Sequence, residues 1–361
     1  MNKLPAARIW KDERPLELQY GSRLQPIEVA YETWGRLNGE RDNAVLILPA
    51  FSAHSHARSS AADPKPGWWE AMIGPGLAFD TDRWYVVCAS LLGGCYGTTG
   101  PPSLNPSTGR SYAADFPIIS VRDIVNVQAR LLDHLGIDRV QAAAGGSLGG
   151  MEALELAVHH PSRAAKIIAL AATERTRPYT ATIRRIGRLA IMSDPKFKDG
   201  YYDEQPASGL KLARELGTIY YRSRSEFNQR FSCRPLDEDN ISIGGINFDF
   251  ESYLNHQGGK APKLFDANTY LRLSLAMDLH DVTRGYGSVT AAFSRVQAES
   301  YIVGTQQDLL IPIDEQEGIY KALRSVGKKA HYDEMSSLYG HDAFLKEFDW
   351  MTPRIQEFLA S

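Results

Sequence analysis

A serine set among closely spaced glycines, Gly145-Gly146-Ser147-Leu148-Gly149, carries the strongest chemical signal in this chain. The spacing is G-x-S-x-G, which puts a nucleophilic hydroxyl on a sharp turn between a strand and a helix. Both flanks fit that context. Residues 140–144 form a short apolar stretch suited to a buried strand, and residues 151–159 have helical spacing, with Met151, Leu154 and Val158 on one face. The turn forces the serine backbone into a strained conformation, and side chains on its neighbours would collide with the adjoining strand and helix. It also sets Ser147 at a helix N-terminus, where the dipole and the Leu148 backbone N–H can stabilise a developing oxyanion.

A serine hydroxyl is a poor nucleophile at neutral pH and needs a base within hydrogen-bond reach. His341, with an ordinary pKa of about 6.5, can take the proton and return it to a leaving group. Asp308 can fix the imidazole tautomer and stabilise the imidazolium that forms. Ser147, Asp308 and His341 stand in the chain order Ser, acid, His. Asp308 follows a predicted late strand over residues 299–304. His341 ends the loop 336–341, after a predicted helix (314–326) and strand (330–333). The second oxyanion donor is expected from the loop after an early strand, residues 44–48. The backbone N–H of Phe51 is assigned that role.

Elements in this order predict an α/β fold of the α/β-hydrolase type: a mostly parallel central sheet flanked by helices, with an inserted helical lid. The core is expected over 1–174 and 296–361, and the lid over 175–295, with helical stretches at 179–193, 208–221 and 268–279. Arg184, Arg185 and Arg188 load the first of these with positive charge. A solvated helix face is the simpler account of them, and attraction of phosphates the sharper one. The Gly-Pro-rich stretch 93–109 reads as a long ordered loop, and 236–245 as the mobile part of the lid.

Further motifs extend the pattern. They are Tyr31-Glu32-Thr33-Trp34-Gly35, Gly67-Trp68-Trp69-Glu70, Ile73-Gly74-Pro75-Gly76, Asp80-Thr81-Asp82-Arg83, the run from Leu92 through Gly93-Gly94-Cys95-Tyr96-Gly97 to Pro101, and Gly340-His341-Asp342-Ala343-Phe344-Leu345. From about residue 28 onward the chain resembles the homoserine O-acyltransferase family of α/β-hydrolase-fold enzymes, which includes serine O-acyltransferases and has acetyl esterases as relatives. The resemblance implies ping-pong transfer from an acyl-CoA co-substrate to an amino-acid hydroxyl, without a metal or redox cofactor. It also implies that Arg214 holds the acceptor carboxylate and that Asp342 meets its ammonium group. A planar guanidinium clamps a carboxylate bidentately, and an aspartate attracts a cation. For Arg214 the plain alternative is a surface ion pair with Glu215 or Glu226. Tyr221 is a further candidate for the same pocket, its alternative being a core residue.

One stretch departs from the family. Where homoserine acetyltransferases carry His-Ala-Leu-Thr-Gly-Asp-Ala-His, this chain has Pro49-Ala50-Phe51-Ser52-Ala53-His54-Ser55-His56. The hydroxyl survives as Ser52, and the Phe51 ring narrows the pocket beside the oxyanion hole. This loop, together with Tyr221-Arg222-Ser223 and Glu226, resembles the serine O-acyltransferase branch more closely. The residues leave acetyl and succinyl donors, and homoserine, serine and water as acceptors, as alternatives.

Composition bounds the rest. A chain of 361 residues can bury one large core. A net charge of −3 gives no reason to invoke nucleic acid, and no apolar run is long enough to span a bilayer, so a cytoplasmic enzyme with small-molecule substrates is expected. A homodimer joined through the lid is the expected assembly. Three sparse cysteines, Cys88, Cys95 and Cys233, lack metal-ligand spacing and read as reduced thiols. Two other classes compete with the transferase: a hydrolase of short acyl esters, and a non-catalytic binding protein on the same scaffold. The second would have lost a member of the Ser, Asp and His set. The first has no use for the zwitterion contacts of Arg214 and Asp342.

Overall fold

The computed structural model describes residues 4–361; residues 1–3 of the expected core lie outside the described residues. Among the described residues ten strands form, β1 (Arg8–Asp12), β2 (Leu16–Glu17), β3 (Arg23–Leu24), β4 (Ile27–Trp34), β5 (Ala44–Leu48), β6 (Tyr85–Ala89), β7 (Val140–Gly146), β8 (Ala164–Leu170), β9 (Glu299–Thr305) and β10 (Ala330–Met335). Eight of them make one sheet in the order β1-β4-β6-β5-β7-β8-β9-β10, while β2 and β3 pair separately. The strands from β6 through β10 run parallel, and β4 and β1 add an antiparallel edge. The central strands are near-continuous apolar runs because helices cover both faces; every residue of β5 is buried.

Around the sheet lie α1 (Val121–His134), α2 (Leu148–His159), α10 (Ile313–Ser325) and α11 (Phe348–Ala360). Helix α2 starts at Leu148, three residues ahead of its first periodic apolar residue, because elbow glycines carry no hydrophobic period. Its residues from Leu148 to Val158 are all buried, so it is apolar all round rather than on one face.

Between β8 and β9 the chain leaves the sheet and builds α3 (Pro178–Met192), α4 (Ala207–Tyr221), α5 (Arg224–Arg230), α6 (Asp249–Gly258), α7 (Ala261–Leu264), α8 (Ala267–Asp278) and α9 (Val289–Phe293). These helices pack on one another around a small apolar cluster of their own that includes Ile191, Leu210, Ala213 and Leu271. Polar ties join them to the core: Thr180 Oγ1 donates to the Leu310 carbonyl, Ser223 Oγ to that of Leu338, and Arg272 to those of Ala114 and Phe116. The stretch 236–245 is an exposed loop without regular structure. Among the described residues no helix is long and apolar enough to cross a membrane.

Candidate active site

Ser147 sits where β7 turns into α2, with φ 57° and ψ −119°. A left-handed φ on a residue with a Cβ is strained, and packing holds it there. The glycines explain how. A Cβ on Gly149 would lie 2.1 Å from the Leu48 carbonyl oxygen, and one on Gly146 would lie 2.3 Å from the Phe344 ring. The end of β5, the elbow and the histidine-bearing segment therefore approach each other through glycine-sized gaps.

His341 Nε2 lies 2.8 Å from Ser147 Oγ, and His341 Nδ1 lies 2.7 Å from Asp308 Oδ2. All three side chains are buried. Asp308 Oδ1 accepts from the Leu310 and Ile311 N–H groups at 2.8 and 2.9 Å, so the carboxylate is held rigidly beyond the end of β9. With Asp308 accepting at Nδ1, the neutral ring carries its proton there and presents a lone pair to the serine. Burial pushes the His341 pKa down, but the charge and hydrogen bond of Asp308, with Asp342 nearby, outweigh it and leave the pKa above its ordinary value.

Register sets the oxyanion loop. Leu48 of β5 pairs with Gly145 of β7, so residues 49–52 continue alongside the elbow. The Phe51 N–H has no hydrogen-bond partner among the described residues, and the Leu148 N–H is one of the first-turn donors a helix leaves unpaired. The same loop is anchored further on. His56 is buried with Nδ1 2.9 Å from Glu32 Oε2 and Nε2 2.8 Å from the Lys65 carbonyl oxygen, while Ser55 Oγ also reaches Glu32. Both ring nitrogens face acceptors, an arrangement that favours the imidazolium. Burial opposes that charge, but Glu32 prevails and raises the His56 pKa.

A cavity of about 850 Å³, open to solvent, lies over Ser147 between the core and helices α3, α4 and α8. Phe51, Ser52, Arg214, Tyr221 and Asp342 all line it, with Ser147 and His341. Phe51 stacks edge-on against Tyr270, 5.2 Å between centroids, and so narrows the opening. Ser52 is exposed at the rim, between this cavity and a second one that reaches Tyr96 and Lys260. Arg214 lies with its guanidinium carbon 5.6 Å from the Tyr221 ring centroid. Among the described residues it has no carboxylate at ion-pair distance, so the pairing with Glu215 or Glu226 does not form. Tyr221 faces His341, 6.0 Å between rings.

Two arrangements differ from the sequence reading or escape it. Asp342 is already paired, with Arg222 Nε at 3.2 Å, and Arg222 also binds Glu226. Burial raises the Asp342 pKa, with Arg222 pulling the other way. No spacing rule joins residues 222 and 342. Arg184 and Arg188 are not a solvated helix face: both are drawn inward onto Asp278 at 2.6 Å, because α8 packs against α3 and presents that carboxylate. Cys95 is buried, and burial pushes its thiol up to about 12. Among the described residues no cluster of His, Cys, Asp and Glu is arranged to hold a metal ion.

A strained serine on a strand–helix elbow in a mostly parallel sheet defines an α/β-hydrolase. A family model described as alpha/beta hydrolase fold matches residues 43–348. A homoserine O-acetyltransferase from Geobacter sulfurreducens is 45% identical over 350 residues, covering 96% of this chain and 95% of that protein. The crystal structure of homoserine O-acetyltransferase from Bacillus anthracis is similar with a TM-score of 0.92 and 31% identity, covering 98% and 97% of the two chains. Esterase E22 is similar with a TM-score of 0.88 and 28% identity, covering 98% and 99%. The chain belongs to the homoserine O-acetyltransferase family.

Proposed function

We propose that the protein is a cytoplasmic O-acyltransferase. It moves an acyl group from an acyl-CoA thioester, through an ester on Ser147, to the side-chain hydroxyl of L-homoserine, with L-serine as the shorter acceptor of the same chemistry. The observation that carries this reading is an Asp308–His341–Ser147 contact chain opening into a cavity where, among the described residues, Arg214 has no carboxylate at ion-pair distance. The names of the relatives agree with it.

In the first half-reaction His341 Nε2 takes the Ser147 proton as Oγ attacks the thioester carbon. The Phe51 and Leu148 N–H groups hold the oxyanion; the C–S bond then breaks, and the proton passes to the thiolate sulfur. In the second, Arg214 holds the acceptor carboxylate and Asp342 its ammonium group, with Tyr221 and Ser52 beside them. The acceptor hydroxyl gives its proton to His341, attacks the ester carbonyl, and Ser147 Oγ leaves with that proton. Asp308 stays ionised throughout and steadies the imidazolium. No metal or redox cofactor takes part.

Residues 175–295 act as a lid that positions the acceptor and limits water, which would otherwise discharge the acyl-enzyme. The exposed apolar residues Tyr179, Ile186 and Leu189 on α3, with Leu212 and Ile219 on α4, are the surface through which two copies join. Thiol release from an acyl-CoA tests the reaction: release should rise steeply with L-homoserine or L-serine. Release that ignores both acceptors would make the protein an esterase.

A further inference from the structure

An arginine joins the lid to the loop that carries His341. Arg222 closes α4, and its Nε lies 3.2 Å from Asp342 Oδ2. Its Nη1 donates to Glu226 Oε1 at 3.1 Å, and its guanidinium carbon lies 6.0 Å from the Tyr339 ring centroid. Glu226 thus fixes the guanidinium from the lid side, while Asp342 and Tyr339 receive it on the core side. The backbones meet at the same place. Ser223 Oγ donates to the Leu338 carbonyl, and a Cβ on Gly340, which has φ 60°, would lie 2.8 Å from the Ser223 nitrogen. The lid turn at 222–223 and the loop 338–342 are therefore seated on each other, and a side chain at 340 would part them.

The charges around Asp342 show what this contact does. The ion pair is made through Oδ2 and leaves Oδ1 for a ligand; the side chain is 22% exposed and lines the cavity, so a ligand can reach it. Burial pushes the Asp342 carboxyl up, and the groups that oppose it are Arg222 first, then His341, Arg214 and Lys346. His341 is neutral whenever it serves as base. Arg214 meets the acceptor carboxylate in the proposed reaction, and Lys346 is exposed, where solvent screens it. Among the described residues that leaves Arg222 as the standing partner of this carboxylate.

We infer that Arg222 is a positioning residue for the acceptor step: the lid delivers it to Asp342 and so holds that carboxylate in place, in its charged form, for the acceptor ammonium. The inference rests on the proposed transfer to an amino-acid hydroxyl. A neutral Asp342 has no ion pair to offer an ammonium, whereas a carboxylate held on one oxygen can bind through the other. Arg222 reaches Asp342 only while Ser223 is seated on the Leu338 carbonyl, so recognition of the acceptor depends on a seated lid.

The test reads the acceptor KM from thiol release at saturating acyl-CoA, from mildly acid to mildly alkaline solution, for the wild type, Arg222→Gln and Arg222→Lys. Arg222→Gln should raise KM about 10- to 150-fold in mildly acid solution, the worth of a charge-assisted contact. Without Arg222 burial is less opposed, so Asp342 holds its proton to higher pH than in the wild type. The ratio of variant to wild-type KM should therefore fall as pH rises and the carboxyl ionises. Acyl-enzyme formation without acceptor should change much less, a split between the half-reactions that lost packing would not produce. Arg222→Lys keeps the charge on a shorter stem and should show a smaller rise with the same direction in pH; it carries the test if Arg222→Gln does not fold. A KM ratio equal at every pH, or equal slowing of both half-reactions, would leave Arg222 a packing role and overturn the inference alone. A wild type whose thiol release ignores the acceptor would instead overturn the transfer reading beneath it.

Discussion

At Arg214 the two half-reactions make different demands. In the proposed reaction the donor thioester has no need of this guanidinium, whereas the acceptor carboxylate does. Arg214→Ala should therefore raise the acceptor KM about 10- to 150-fold and change acyl-enzyme formation much less, as separate assays of the two steps will show. His341 gives a second expectation. Its base form is the active one, and burial is outweighed by Asp308, so its pKa is raised. The acid limb of kcat/KM should lie above the ordinary histidine value of about 6.5, with activity lost as pH falls through it. Asp308→Asn should move the limb to lower pH and cost on the order of 10⁴-fold in turnover; an unmoved limb in that variant would detach Asp308 from the imidazole. Ser147, Asp308 and His341 were legible because motif, chain order and loop position point to them together. The Arg222–Asp342 and Arg184–Asp278 contacts were not, since each joins residues far apart in sequence by tertiary packing alone.

The loop from Pro49 to His56 is the element on which the proposed oxyanion site depends, and its anchor is the buried Glu32–His56 pair. Removing one partner of such a pair leaves an uncompensated charge, so Glu32→Ala should cost about 3–5 kcal/mol in urea unfolding. The sign with pH follows from the raised His56 pKa. The pair contributes fully below the unfolded histidine value of about 6.5 and its contribution is lost as pH rises through the folded value, so wild type and variant should converge in alkaline solution. A constant difference across that range would leave Glu32 with a packing role only. Strands β5, β7, β9 and β10 were readable because each borders a residue with chemistry. Strands β1 and β4 carry no such mark, and their antiparallel edge emerges only from the pairing of the whole sheet. Helix starts near 178, 207 and 267 lay within a residue or so of the periodicity, whereas α2 began early because glycines are silent in it.

For the whole molecule, the insertion between β8 and β9 converts a hydrolase scaffold into one with a walled cavity, and its outer face stays apolar. Ile186 and Leu189 are 51% and 42% exposed on that face. Replacing both with glutamate should give a monomer of 40.1 kDa in light scattering, and the wild type should give twice that mass if the proposed dimer forms. A monomeric wild type would remove the dimer through this surface. The alternating order of strands and helices made the core legible. The insertion was readable as helices but not in its ties, because Arg272, Thr180 and Ser223 reach the core through backbone carbonyls that no pattern advertises. The claim on which everything else depends is an acyl-enzyme on Ser147 that an amino-acid hydroxyl discharges. Intact-protein mass spectrometry after mixing with an acyl-CoA tests it most directly. The account predicts one acyl adduct that maps to Ser147, is absent from Ser147→Ala, and disappears far faster with L-homoserine or L-serine than in buffer. No adduct, an adduct on another residue, or a lifetime indifferent to both acceptors would contradict it.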